Sequence, residues 1–343
     1  MAFMCDGCRH SESKYSATTK AKYAVQNSTW GPLRDLGMRI ATAHKTEDIY
    51  NMSLLDFMSL ADPHEIFELQ ENFNNNGNFG QLYLARDKRD GKTVCVKMLS
   101  MDATDEMILQ EVRGHALASK HPSVCALYGV FMEEGWLTWW PEVSRRVWLV
   151  MEYAKGPTLQ QHIGGGIQDE KEIVRILRQI VDCVAFLHSR KIIHRDLKSA
   201  NFVLDGEKNI RLVDFGSSAM IPEVGQSFTT DEIVGSLPYF APEVYGGTYG
   251  PATDMFALGA LSIELGSGVV PFFFVEVRMS EYISKGLEVL VAAKRIQEEV
   301  SQYQITFGKH FSSEYQSFAK KLLAMDPSQR LQAAAAAKES FLA

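Results

Sequence analysis

Positive charge is in short supply: 35 Lys and Arg stand against 42 Asp and Glu, for a formal net charge of -7. Nucleic acid and anionic lipid recruit clustered cations, so neither is expected as the main partner. Cysteine is scarce as well. There are five in 343 residues, and only Cys5 and Cys8 lie close together. That excludes a disulfide framework and suits a reducing compartment, with the cytoplasm as the expected location. Cys5-x-x-Cys8 with His10 falls short of four zinc ligands, because no second pair lies nearby, and an unstructured start is the plainer reading. The opening MAFMCDGCRH has no basic region followed by an apolar core, so no signal peptide is expected there. The most apolar stretch, Phe256–Val275, is interrupted by Glu264, Gly266, Gly268 and Pro271. It reads as a buried helix followed by a loop, and no membrane span is expected. No internal repeat is visible.

What is present is a large apolar fraction, 46% of the chain. That supports two packed lobes and an extension. Residues 1–62 are rich in Ser, Thr, Lys and Asn and read as a partly disordered N-terminal extension with one short helix near Ile49–Leu60. Residues 63–153 read as a small lobe. Strands are expected at Phe67–Gln70, Gln81–Arg86, Thr93–Met98, Ala126–Phe131 and Val147–Tyr153, with a hairpin at Asp90-Gly91 and one helix at Asp105–Ala118. Residues 154–343 turn helical. Asp169–Ser189 repeats its apolar positions with a 3.6 period, and helices are expected at Ala252–Leu265, Met279–Glu299, Glu314–Ala324 and over the alanines at 333–337. The fold class is therefore α+β, with a five-stranded antiparallel lobe joined to a larger helical one.

The strongest motif is HRDLKSAN at His194–Asn201. It fits the pattern H-R-D-L-x-x-x-N at every fixed position. Asp214-Phe215-Gly216 follows after the β-rich IRLV, Lys97 ends the strand VCVK, and Glu111 lies in the next helix. On these residues the chain resembles the eukaryotic protein kinase family, Ser/Thr type, from about Phe67 to Leu342. A weaker similarity, carried by DPHEIF and HRDLKSAN, points to germinal-centre and mixed-lineage kinases. The resemblance implies ATP and Mg²⁺ as nucleotide and metal, and protein side chains as substrates. Asp196 would accept the proton of the substrate hydroxyl, Asn201 and Asp214 would hold Mg²⁺, and Lys97, paired with Glu111, would hold the α- and β-phosphates. Such a site must fix cations and an in-line nucleophile together, because charge spreads over the transferring oxygens. A lone Lys–Glu pair is usually a solvated surface pair; the order of the motifs argues for the functional reading.

Asn75–Leu82 reads NNGNFGQL. Against G-x-G-x-x-G-x-V, Gly77 and Gly80 are the second and third glycines, Asn75 replaces the first and Leu82 the valine. Phe79 completes the phosphate loop, and one extra residue would make Phe73 the roof over adenine. The resemblance further implies Met151 as gatekeeper, Glu152–Ala154 as the hinge whose backbone bonds adenine, and Cys95 with Val203 as the sandwich around the ring. Lys198, two residues after Asp196, and the Gly235-Ser236 pair point to Ser/Thr rather than Tyr substrates. Ala241-Pro242-Glu243 ends the activation segment, Asp254 would support the catalytic loop, and Arg330 would pair with Glu243. Glu232, with Asp231 beside it, falls at the family's phosphothreonine position and could pair with Arg195 in place of a phosphate; a shifted phosphosite at Ser227, Thr229 or Thr230 and a plain solvated acid are the alternatives. Trp136, Trp139 and Trp140 crowd the insert Gly135–Ser144. A partner surface and packing on the N-terminal extension are equally open there. A nucleotide-binding scaffold without turnover would lack Lys97, Asp196, Asn201 or Asp214, and all four are present. A small-molecule phosphotransferase is disfavoured by the intact Ala241-Pro242-Glu243.

Overall fold

The computed structural model describes residues 52–59, 61–74, 80–100, 103–133, 146–307 and 311–343. Residues 1–51, most of the expected extension, and the tryptophan insert lie outside them. The small lobe is built on strands β1 (Met58–Ser59), β2 (Phe67–Asn74), β3 (Gln81–Asp87), β4 (Thr93–Met98), β5 (Leu127–Glu133) and β6 (Arg146–Glu152). They form one sheet in the order β1-β5-β6-β4-β3-β2. The β3–β4 hairpin turns at Gly91, whose φ of +77° is open to glycine at little cost. Its N–H bonds the Asp87 carbonyl at 2.8 Å. β2 loses its register between Leu69 and Asn74, beside the glycine-rich turn.

The sixth strand corrects the expectation of five. β1 runs parallel to β5, with Met58 opposite Val130 and Ser59 opposite Phe131. The short helix expected near Ile49–Leu60 is a single turn, α1 (Leu54–Phe57), which leads into β1. The cause is hydrophobic: Leu54, Phe57 and Met58 all sink into the main core. Two paired residues leave no period for a sequence pattern to show. A second short turn, α2 (Pro63–Ile66), is capped by Asp62, whose carboxylate accepts the His64 N–H at 2.8 Å. Among the described residues the long helix of this lobe is α3 (Asp105–Ala118), with the expected bounds. Thr104 caps it by accepting the Met107 N–H at 3.3 Å. Ile108, Val112 and Leu117 are buried on its inner face, and so is Glu111.

The large lobe holds α4 (Leu159–Ile163), α5 (Glu170–Ser189), α6 (Pro251–Ser267), α7 (Phe274–Ser284), α8 (Val289–Gln302), α9 (Ser313–Leu322) and α10 (Ala333–Ala336). The apolar stripe of α5, from Ile173 to Leu187, is fully buried. α6 is buried nearly all round, from Thr253 to Gly266. Among the described residues no helix is long and apolar enough to cross a membrane. The helix expected at Met279–Glu299 is in fact two, α7 and α8. Gly286, at φ +83°, sits in the left-handed region that ends a helix, so the periodic pattern continues but the backbone does not. Three short ladders pin the intervening loops: β7 (Ile192–Ile193) with β10 (Ala219–Met220), β8 (Phe202–Leu204) with β9 (Ile210–Leu212), and β11 (Phe228–Thr229) with β12 (Thr248–Tyr249). The architecture is the expected bilobal α+β fold.

Candidate active site

β4 carries Lys97 between its hydrogen-bonded neighbours, with Leu82 of β3 and Leu149 of β6 as Cα partners. Its Nζ lies 2.7 Å from Glu111 Oε1 on α3 and 2.8 Å from Asp214 Oδ1, just after β9. Three elements far apart in sequence thus meet at one ammonium. Burial disfavours that charge, but the carboxylates of Glu111 and Asp214 outweigh it and hold the Lys97 pKa above the ordinary lysine value. Burial raises the Glu111 carboxyl, which Lys97 opposes and Asp214 reinforces. For Asp214 burial is overcome by Lys97 and by the Gly216 N–H, and its pKa falls to about 2. The Gly216 N–H donates to Asp214 Oδ1 at 3.1 Å. A Cβ on Gly216 would meet Asp214 Oδ1 and Lys97 Nζ at 3.2 Å and Glu111 Oε2 at 3.4 Å. Asp214 itself has φ +62°, unusual for a residue with a side chain.

The loop between β7 and β8 carries HRDLKSAN. Lys198 Nζ donates to Asp196 Oδ2 at 2.9 Å and to Ser236 Oγ at 2.8 Å, and Ser236 Oγ donates to Asp196 Oδ1 at 2.7 Å. A closed triangle results. Asn201 Nδ2 donates to the Asp196 carbonyl at 2.8 Å and to Asp196 Oδ2 at 3.2 Å. From beneath, Asp254 on α6 accepts the N–H groups of His194 and Arg195, each at 2.9 Å, and bonds His188 Nε2 at 2.9 Å. Arg330 forms a two-pronged pair with Glu243, at 2.5 and 3.1 Å, over the Phe256 ring.

The cleft residues line up on neighbouring strands. Cys95 and Met151 are Cα partners across β4 and β6, Leu82 faces Lys97, and Val203 on β8 bridges to Thr158. Burial pushes the Cys95 thiol up to about 12. Gly80 has φ +136°, and a Cβ there would run into the Met98 carbonyl. Glu152 ends β6 opposite Val94, and the chain leaves the sheet from there through Ala154. The Glu152 N–H is spent on the Ala126 carbonyl at 2.8 Å, so it does not serve adenine. Gly77, Phe79 and Asn75 lie outside the described residues, as does the side chain of Phe73.

One expectation fails. Arg195 makes no ion pair with Glu232 within 4 Å; Glu232 is exposed and only biases it at longer range. Instead Arg195 Nε donates to the Ser217 carbonyl at 2.5 Å, and its guanidinium lies 5.3 Å from the Tyr249 ring and 6.0 Å from the Phe228 ring. Burial disfavours this charge and holds its pKa below the ordinary arginine value, while the ring faces and the carbonyl give the cation its local contacts. Two further features escaped the sequence. Glu264 accepts the Ser199 hydroxyl at 2.7 Å and the Tyr239 hydroxyl at 2.6 Å, tying α6 to the catalytic loop and to the end of the activation segment. Ten positions beyond Asp254 on α6, it does not share that residue's helix face, so no spacing in the sequence pointed to it. His115, four residues after Glu111, stacks on Phe215 with ring centres 4.8 Å apart and bonds the Cys125 carbonyl at 2.7 Å. Burial holds its pKa down at about 4.

Comparison with known proteins accords with this geometry. The chain is 28% identical over 305 residues to the Serine/threonine-protein kinase PAK mbt of Drosophila melanogaster, an alignment covering 87% of this chain and 43% of that protein. The chain therefore spans less than half the length of that relative. A model of the protein kinase domain matches residues 75–342. With this match over most of its length, the chain belongs to the protein kinase domain family.

Proposed function

We propose that the protein transfers the γ-phosphoryl group of ATP to serine and threonine hydroxyls of protein substrates. The observation that carries this reading is the Asp196–Lys198–Ser236 triangle. It presents a carboxylate and an ammonium side by side next to a hydroxyl of the chain's own segment. The Asp196 carboxylate orients the incoming hydroxyl and takes its proton as the new O–P bond forms and the bond from Pγ to the β-phosphate oxygen breaks, releasing ADP. Lys198 faces the transferred phosphoryl group and offsets its charge. Lys97, fixed by Glu111, holds the α- and β-phosphates. Cys95 and Leu82 on one side and Val203 on the other, past Met151, would hold the adenine, and the backbone around Glu152 and Ala154 would bond it. By the family's motif, Gly77, Phe79 and Gly80 are the residues assigned to the phosphates.

Asn201 and Asp214 are the residues that would hold Mg²⁺. Their oxygens are hard donors, and among the described residues no group of three or more His, Cys, Asp or Glu forms a metal cage. A pair of protein oxygens completed by phosphates and water is the way Mg²⁺ is usually bound. The ion supplies charge neutralisation on the phosphate oxygens. The three described cysteines are free and buried, which suits the cytoplasm as the place of action. The test is phosphate transfer from radiolabelled ATP to the chain itself and to a generic protein substrate, with Asp196→Asn as control. Label on serine and threonine that the control loses supports the proposal; equal labelling, or none, refutes it.

A further inference from the structure

The residues matched by the kinase domain begin at 75, yet residues 52–59 pack directly on the helix that carries Glu111. Arg113, two positions after Glu111 on α3, donates from Nε to the Met52 carbonyl at 3.2 Å, and its Nη2 bonds the same carbonyl. Leu54 and Phe57 are buried in the core cluster that also takes in Ile108, Val112 and Leu117 of α3. Met58 and Ser59 then fasten the segment to β5 through the parallel ladder. One end of the segment thus grips α3 and the other grips the sheet. We infer that residues 52–59 are a built-in clamp that holds α3 at the sheet and so keeps Glu111 on Lys97. This rests on the kinase reading above.

The physical argument concerns rigidity. A helix that carries one partner of a buried ion pair gains nothing from that pair if it can swing away. Glu111 is 5% exposed and Lys97 6%, so their contact depends on α3 lying close to β4. α3 meets the sheet through its inner face. The clamp adds contacts at Arg113 and covers the helix with Phe57, which is 2% exposed. It also covers the β5 edge, which would otherwise be open on that side. Phe57 and Arg113 are therefore positioning residues: they touch no substrate and act through Glu111.

That dependence sets the test. In the full chain, Phe57→Ala and Arg113→Ala are each made alone and with Glu111→Gln, and kcat and KM for ATP are measured on a protein substrate. Amide hydrogen exchange is followed over residues 105–118. Each single variant is expected to lower kcat about tenfold, as small misplacements of catalytic groups do, while exchange in α3 accelerates. With Glu111→Gln present, the same changes are expected to cost less than about twofold, because the element they act through is gone. Equal losses in both backgrounds, or unchanged kcat with unchanged exchange, would overturn the clamp. If Phe57→Ala fails to fold, Arg113→Ala decides, since that partly exposed side chain leaves no large cavity. If the unaltered chain transfers no phosphate, the kinase reading fails, and exchange of α3 still judges the clamp.

Discussion

Tyr249 holds Val234 from both sides: its hydroxyl accepts the Val234 N–H at 2.8 Å and donates to the Val234 carbonyl at 2.9 Å. Two residues later Ser236 reaches Asp196. Between them Gly235, at φ +110°, passes so close to the Arg195 carbonyl that a Cβ has no room. The same tyrosine presents its ring to Arg195. One side chain therefore sets both the backbone before Ser236 and the arginine before Asp196. Tyr249→Phe keeps the ring and deletes the two bonds, each worth about 1 kcal/mol net. We expect a loss of roughly tenfold in kcat with an unchanged melting temperature to within a few degrees. Steady-state kinetics with one protein substrate checks this; a wild-type kcat would refute it.

Glu232 makes no such contact. Because it is an exposed acid without an ion pair to Arg195, Glu232→Ala should leave the rate within about twofold. Phosphatase-treated enzyme is the sample to assay, so that modification of Ser227, Thr229 or Thr230 does not mask the result. A tenfold drop would restore the acid to the activation mechanism.

Lys97→Met should abolish transfer while the fold persists. One lost charge contact to the phosphates costs roughly a hundredfold or more in rate. The circular dichroism spectrum should match the unaltered protein, and turnover near the original would remove Lys97 from the site.

Arg330→Met tests stability instead of chemistry. The guanidinium is buried, and its loss strands Glu243 without a partner. Breaking a buried pair from one side costs about 3–5 kcal/mol. A urea midpoint unchanged by the substitution would show that Glu243 finds another partner.

His115 predicts a pH dependence. Burial depresses its pKa from 6.5 to about 4, so the folded state favours the neutral ring. A folded-state pKa below the unfolded one gives stability that is complete above about pH 6.5 and is lost as pH falls toward 4, at up to about 1.4 kcal/mol per unit. His194, depressed by burial in the same direction, adds to the slope. His115→Phe preserves a ring against Phe215 and should flatten, without erasing, the fall in urea midpoint between pH 7 and pH 5. An unchanged slope would place the titrating group elsewhere.

The contiguous features of this chain could be read before the structure was known. α3 and β4 have the bounds that their patterns predict, and HRDLKSAN spells out the loop that holds Asp196. What could not be read depends on chain segments that meet only on folding. β1 is two residues long and owes its existence to β5, some seventy positions away. Gly286 breaks an apolar period that runs on regardless, because periodicity reports burial and not backbone angle. The family's pattern, counted back from Gly235-Ser236, points Arg195 at the carboxylate of Glu232. The rings that Arg195 found, Phe228 and Tyr249, come together only through the β11–β12 ladder.

Gly216 has a genetic consequence. Lys97, Glu111 and Asp214 can each be conserved and still be disconnected, because the empty volume at residue 216 is where their three head groups converge. An alanine there is a one-step change that alters no charge, no hydrogen-bonding side chain and no motif residue that bears a proton. It would nonetheless crowd Asp214 Oδ1 and Lys97 Nζ, each at 3.2 Å, and come into contact with Glu111 Oε2. Inactivating lesions in this chain can therefore hide at a position with no chemistry of its own, and a survey of variants that scored only the charged residues would overlook them.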